Sequence, residues 1–72
     1  MNDSILQAKQ GFKEGDRVWV KIPKAPEIVA WVKEAHYDEV DDSWTYVVQE
    51  KDSAGDWYGQ ERAKRAKHLN RC

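Results

Sequence analysis

The sequence predicts an all-β domain, a small antiparallel barrel of five strands with a short helical turn near the C-terminus. Short alternating or β-branched segments recur along the chain, and Gly, Pro, Asp and Ser separate them, as in a β-meander. The 72 residues include one cysteine, four Trp and three Tyr, so an aromatic core without a disulfide must stabilise the fold. Closing the sheet into a barrel removes the exposed edges that a free meander has.

The first strand is predicted at residues 17–22, which alternate strictly, with two valines and an isoleucine on one face. Pro23 and Pro26 are expected to end it, because proline cannot donate a hydrogen bond to a neighbouring strand. Residues 24–25 are therefore predicted as a loop. The second strand is predicted at residues 27–35 from their β-branched and aromatic content.

The next segments read as two further strands joined by turns. Residues 38–43 are polar and predict a hairpin loop, and residues 44–50 predict the third strand. A second turn follows at residues 52–55, where Gly55 suits a positive φ. Residues 56–60 then predict a short fourth strand.

Two interpretations remain open for the C-terminal segment. Residues 61–67 are rich in Ala, Lys, Arg and Glu, which favour a helix. Alternatively, residues 66–69 supply a last short strand after one helical turn. At the other end, residues 1–10 predict a flexible leader or a frayed helix, which leaves residues 11–72 as the barrel domain.

The formal net charge of −1 conceals two unlike regions. All 13 acidic side chains lie in residues 1–61, whereas residues 62–72 hold five of the 12 basic side chains and no acid. Such an asymmetry can mark a partner site. The acidic loop has its carboxylates at Asp38, Glu39, Asp41 and Asp42. The basic segment has its cations at Arg62, Lys64, Arg65, Lys67 and Arg71.

The residue types of the chain do not predict an enzyme. His36 and His68 lie 32 positions apart in sequence, and the serines have no nucleophile-elbow context. No Cys or His zinc spacing and no Gly-rich phosphate loop occurs, so neither a metal nor a cofactor is expected. No apolar run approaches the roughly 20 residues of a membrane span. The N-terminal residues lack a signal peptide's build, so the expected location is intracellular, cytoplasmic or nuclear.

Several motifs resemble those of SH3-like barrels of the Tudor, agenet and chromo-barrel type. Residues 12–21, Phe-Lys-Glu-Gly-Asp-Arg-Val-Trp-Val-Lys, resemble the opening of these domains, and the opening is also similar to that of SH3-like domains in retroelement integrases. Residues 30–38 resemble the second strand and acidic loop. Residues 44–49 and 52–55 resemble the third strand and its Asp-x-x-Gly turn, and residues 68–69 hold the closing Leu.

The resemblance implies a binding module. Tudor-like readers hold methylated Lys or Arg in a cage of aromatic rings, because an alkylated cation is attracted to ring faces. This chain departs from the cage pattern, with Ile22 and Pro23 after the first strand and residues 50–52 without an aromatic after the third.

We therefore expect a non-enzymatic module for protein or peptide recognition, including a Tudor-like chromatin-type reader. Exposed aromatics are expected to contact the ligand, with the acidic loop at the rim, whereas three other aromatics are assigned to the core or the barrel lid. The predicted contact residues are Trp19, Tyr37, Trp57 and Tyr58, with Asp38, Glu39, Asp41 and Asp42. The predicted core or lid residues are Trp31, Trp44 and Tyr46.

Two other partners follow from the charges. The basic segment could bind nucleic acid through phosphate contacts, although the sequence pI of about 6.1 argues against it. The acidic loop and the basic segment are also complementary, so head-to-tail self-association is a second alternative.

Overall fold

The computed structural model describes residues 11–72. Five antiparallel strands form one sheet, and a single 3-10 turn precedes the last of them, as the sequence predicts. The strands are β1 (Arg17–Ile22), β2 (Ala25–Asp38), β3 (Ser43–Lys51), β4 (Trp57–Arg65) and β5 (Leu69–Arg71), and the turn is Ala66–His68. Their order in the sheet is β4-β3-β2-β1-β5. The predicted leader, residues 1–10, lies outside the described residues.

Irregular pairing curls this sheet into an open barrel, in which β4 and β5 are the two edge strands. The β2–β3 register shifts between Val32 and Glu34, and the β3–β4 register shifts between Val48 and Glu50. Extra residues of this kind bend a strand and increase its twist. As a result, the Lys64 ammonium on β4 donates a hydrogen bond of 3.1 Å to a backbone carbonyl of β1, although β3 and β2 separate these strands in the sheet order.

The curled sheet encloses one core. Alternation along β1 and β3 places every second side chain inward, as predicted, because successive side chains of a strand point to opposite faces. Tyr46 is the largest fully buried side chain, and its ring meets the ring of Phe12 edge-on at 5.5 Å. The buried core residues are Phe12, Val18, Val20, Ala30, Val32, Tyr46, Val48 and Leu69.

The prediction of a loop at residues 24–25 is wrong for Ala25, which pairs with Ile22 as the first residue of β2. The connection between β1 and β2 is tighter than the two prolines suggest, because Lys24 adopts a φ of 60° and reverses the chain. Pro26 lies near the exposed start of β2, where its missing N–H is tolerated.

The helix predicted at residues 61–67 is also wrong, because β4 runs to Arg65 and pairs with β3 as far as Thr45. Tertiary pairing overrides the helical propensity of this stretch. The alternative, a helical turn followed by a short strand, describes the chain better. Its strand nevertheless begins at Leu69, three residues later than predicted, and the turn occupies Ala66–His68.

A wide bulge in β4 depends on Gly59. Three residues of β4, 59–61, lie opposite Gln49 of β3. Gly59 has a φ of 76°, and a Cβ atom there would lie 2.9 Å from a carboxylate oxygen of Glu50. The bulge is held by the side chain of Gln49, which donates a 2.8 Å hydrogen bond to the carbonyl of Gly59.

Replacing this glycine is expected to destabilise the domain. Gly59→Ala should lower the free energy of unfolding by roughly 1–2 kcal/mol, because a left-handed backbone is strained for a residue with a Cβ. Urea denaturation measures the difference. Gly11→Ala is the control, since nothing lies within 4 Å of its added methyl group. Equal stability of the two variants would contradict this role of Gly59.

Candidate functional site

A groove of about 780 Å³ opens at one end of the barrel, between the start of β3 and the segment that joins β4 to β5. Aromatic side chains, one residue of the acidic loop, two cationic side chains and a histidine meet there. The groove is lined by Asp42, Ser43, Trp44, Tyr46, Arg65, Ala66, Lys67 and His68. It is therefore the place where the two oppositely charged regions of the sequence come together.

The aromatic wall of the groove follows from alternation along β3. Trp44, Tyr46 and Val48 share the inward face, and the last two of them are buried in the core. Trp44 lies at the open end of the same face and is only half-buried. Its ring stacks on that of Tyr46, with centroids 6.4 Å apart and an interplanar angle of 15°. The groove is thus an extension of the core that solvent reaches.

Tyr37 stands beside this wall. Tyr37 pairs with Trp44 across β2 and β3, and their ring centroids lie 5.4 Å apart. The phenol donates a hydrogen bond to Asp42. That hydrogen bond, together with partial burial and the charges of Asp42, Glu39 and Asp38, raises the pKa of Tyr37 to about 12. At neutral pH the phenol is therefore protonated, and it holds the Asp42 carboxylate at the edge of the aromatic wall.

This hydrogen bond predicts a pH-dependent stability. The pKa of Tyr37 in the folded chain exceeds the ordinary value of 10.0. Its contribution to stability is therefore complete below pH 10 and is lost as the pH rises toward 12. In an ultraviolet titration, the tyrosinate transition near pH 12 should be absent from Tyr37→Phe and should move to lower pH in Asp42→Asn. A transition that is unchanged in Asp42→Asn would show that the hydrogen bond does not cause the shift.

The acidic loop has a defined conformation, as the sequence predicts for a hairpin loop. A carboxylate oxygen of Asp38, the last residue of β2, accepts hydrogen bonds from the backbone N–H groups of Val40 at 2.9 Å and Asp41 at 3.4 Å. Asp42 closes the loop with a φ of 51°. Arg65 joins the loop to β4, since its guanidinium lies 3.4 Å from the Asp41 carboxylate.

The structure divides the predicted ligand contacts between three places. Tyr37 and the acidic loop lie beside the groove, and of these residues only Asp42 lines it. Trp19 is on the outer face of β1 and is 41% exposed. Trp57 and Tyr58 are exposed at the start of β4, where they pair with Lys51 and Glu50 near the opposite end of β3. The predicted rings therefore form no single patch with the acidic loop.

The ring of Trp57 already has cations of this chain beside it. The Lys33 ammonium lies 4.8 Å from the ring centroid, and the Lys51 ammonium lies 4.4 Å from it. Both distances are within the range of a cation–π interaction. A cation from a ligand would have to displace these lysines, so Trp57 does not provide an open cage wall.

Trp31 is not a core or lid residue, contrary to its assignment from sequence. Ala30 and Val32 are the inward residues of this part of β2, so Trp31 points to the outer face. Arg17 and Lys51 approach its ring to 5.8 and 5.9 Å. Trp44, which the sequence assigns to the core or the barrel lid, packs partly buried against the core and also lines the groove. The feature of the sequence that indicates a position at the groove is that Trp44 lies close to the acidic loop.

The basic segment mostly contacts the rest of the barrel. Four of its five cationic side chains have partners within the described residues, which include carboxylates, backbone carbonyls and a ring. Three of the contacts are ion pairs, namely Arg62 with Glu50 at 3.9 Å, Arg65 with Asp41 at 3.4 Å and Arg71 with Asp16 at 3.7 Å. Lys64 donates a 3.1 Å hydrogen bond to the carbonyl of Lys21. Arg71 also donates a hydrogen bond to the carbonyl of Gly11 and lies over the ring of Phe12. Lys67 lines the groove.

Neither a metal cluster nor a membrane-spanning helix is found in the part of the chain that the structure describes. Residues 11–72 hold no group of three or more His, Cys, Asp or Glu side chains placed to bind a metal ion. No helix in this range is long and apolar enough to cross a membrane. No protein-family model, curated protein or solved structure matches the chain.

Proposed function

We propose that the chain is a non-enzymatic binding module that recognises a peptide or protein segment by taking a basic side chain into the groove. The observation that carries this proposal is the meeting of aromatic rings and carboxylates at one end of the barrel. Trp44 and Asp42 line the groove, and Tyr37 lies beside them, with its ring 5.4 Å from that of Trp44 and its phenol hydrogen-bonded to Asp42.

The rings and the Asp42 carboxylate of this arrangement favour a cation, and Arg65, one of the two cations in the groove lining, is already paired with Asp41. A positive charge is attracted to ring faces and to carboxylates at the same time, by about 0.5–1 kcal/mol for an exposed cation–π contact. Methylation of Lys or Arg strengthens the preference for rings, and a Tudor-like chromatin-type reader is one form of this function. The contact residues then are Tyr37 and Trp44 rather than Trp19, Trp57 or Tyr58.

The groove is also well organised for binding. Hydrogen bonds fix the acidic loop at Asp38, and the guanidinium of Arg65 holds its far side through Asp41 and Ser43. A preformed site loses little conformational freedom when a ligand enters, and this raises affinity.

Peptide titration with an NMR readout tests the proposal. Peptides that carry lysine, trimethyl-lysine or dimethyl-arginine are expected to shift the indole N–H signal of Trp44 and to leave that of Trp57 in place. An acetyl-lysine peptide, which lacks the charge, should shift neither signal. Asp42→Asn should weaken binding roughly two- to fivefold, the effect of one exposed charge pair. Asp56→Asn makes the same chemical change at the other end of the β3–β4 hairpin and should leave the affinity unchanged.

Two results would contradict this function. The first is an unchanged Trp44 signal at millimolar peptide. The second is a mobility shift with an oligonucleotide that weakens steeply with salt and is lost in Lys67→Gln, which would assign the groove end to phosphate binding by the basic segment.

A further inference from the structure

A second surface lies on the outer side of the sheet, away from the core, and we call it the outer tryptophan face. It consists of three indoles and the cationic side chains between them, and it crosses β1 to β4. Its members are Trp19, Trp31 and Trp57 with Arg17, Lys21, Lys33 and Lys51. The register explains the pattern, because Arg17 pairs with Trp31 and Lys51 pairs with Trp57.

Most of the cationic side chains on this face have no carboxylate partner among residues 11–72. Lys33 has a carboxylate partner, Glu61, at 2.6 Å. Among residues 11–72, no carboxylate lies within ion-pair distance of Arg17, Lys21 or Lys51. The cations of Arg17 and Lys51 rest against indole rings instead. The face therefore presents positive charge over apolar surface.

The placement of these cations selects an acidic partner with an apolar side chain over a nucleic acid. Bases of a single strand bind by stacking on open aromatic faces. Here the rings of Trp31 and Trp57 have cations beside them at 4.4–5.9 Å. Trp19, 41% exposed, is the indole of this face that has no ring or cation contact in the described chain. One apolar contact surrounded by positive charges fits an acidic loop better than a row of bases.

The chain itself carries such a loop. Val40 is 93% exposed, the highest value among the exposed large hydrophobic residues of the described chain. Asp38, Glu39, Asp41 and Asp42 flank it on both sides. The groove proposed above uses the aromatic wall behind the loop and gives no role to Val40.

We propose that the acidic loop of one copy docks on the outer tryptophan face of a second copy. Val40 packs on Trp19, and the carboxylate of Glu39 approaches the cations of Arg17 and Lys21. The contact joins two different surfaces, so each copy can both give and receive a loop, and the assembly grows head to tail rather than closing as a two-fold dimer. This inference does not depend on the proposed groove function, and its cationic surface is not the basic segment considered from sequence.

Sedimentation velocity tests the assembly. A Cys72→Ser background removes the exposed thiol, so that disulfide-linked dimers do not imitate association. At about 20 mM salt, where the Debye length is near 20 Å, the weight-average mass is expected to rise with protein concentration up to about 1 mM. At about 500 mM salt the chain should sediment as the 8.4 kDa monomer.

A charge exchange locates the contact. Glu39→Lys and Lys21→Glu are each expected to sediment as monomers at low salt, because each places like charges across the contact. Their equimolar mixture should associate, since the loop of the second variant then meets the unaltered face of the first. Glu14→Lys and Lys13→Glu make the same charge changes in the exposed turn before β1 and should associate like the parent chain.

Three results would overturn the proposal. They are a parent chain that stays monomeric at low salt, variants that associate as well as the parent, and a mixture that remains monomeric. An oligonucleotide that binds the parent chain and shifts the Trp19 indole signal, with no self-association, would assign the face to nucleic acid instead.

Discussion

Tyr46→Ala is expected to lower the free energy of unfolding by about 3–5 kcal/mol, the usual cost of deleting a large buried aromatic side chain. Tyr46 is fully buried and packs edge-on against Phe12. A domain of this length has a total stability of roughly 4–11 kcal/mol. The variant should therefore be partly or wholly unfolded at room temperature, as circular dichroism and urea denaturation would show.

Tyr46→Phe separates the ring from its hydroxyl. The phenol oxygen accepts hydrogen bonds from the backbone N–H groups of Gly11 at 3.1 Å and Phe12 at 3.4 Å. Removing it leaves two donors without this partner, one of them buried, at a cost of about 1–3 kcal/mol. Tyr58→Ala is the control, because Tyr58 is 49% exposed and should change stability by less than about 1 kcal/mol. Similar losses in Tyr46→Ala and Tyr58→Ala would contradict the central position of Tyr46.

Tyr46 is buried because inward and outward side chains alternate along β3. This alternation depends only on neighbouring residues of one strand, so the sequence predicts it. Each side chain of a strand points away from its neighbours, so Val18 and Val20 on β1, and Tyr46 and Val48 on β3, follow from residue type alone. The same reasoning would have placed Trp31 outside, since Ala30 and Val32 are its small apolar neighbours. The prediction that Trp31 is a core or barrel-lid residue is therefore wrong.

The second half of β4 depends on partners that are distant in sequence. Residues 61–65 have helical propensity, and nothing in their own composition indicates a strand. Pairing of Val47 with Ala63 and of Thr45 with Arg65 makes them one. The boundary between strand and 3-10 turn is likewise decided by the barrel, because the chain must leave β4 and reach β1 within a few residues.

The groove could be predicted only in part, because it joins residues from separate strands. The acidic loop and Tyr37 are adjacent in sequence and were expected to act together. Trp44 joins them because the open end of the barrel lies at the start of β3, and strand alternation alone does not tell a buried end from an open one. The partners of the basic segment could not be predicted for a similar reason, since Arg65 meets Asp41 and Arg71 meets Asp16 only after the chain has folded.

Leu69→Ala is expected to release β5 from the barrel. This strand has three residues, and Leu69, 4% exposed, is the only one that is buried. It pairs with Val20 of β1, whereas Asn70 and Arg71 face solvent. Deleting most of its side chain should lower the free energy of unfolding by about 2–5 kcal/mol.

In Leu69→Ala, β5 should unfold locally before the whole domain unfolds, because no other side chain of β5 enters the core. Amide hydrogen exchange should accelerate in β5 and β1 more than in β3 and β4, and the freed edge of β1 should promote association between chains. Asn70→Ala is the control and should stay within about 0.5 kcal/mol of the parent chain. If Leu69→Ala matched this control, or if exchange rose equally in all strands, β5 would be held by its backbone pairing with β1 and not by its one buried side chain.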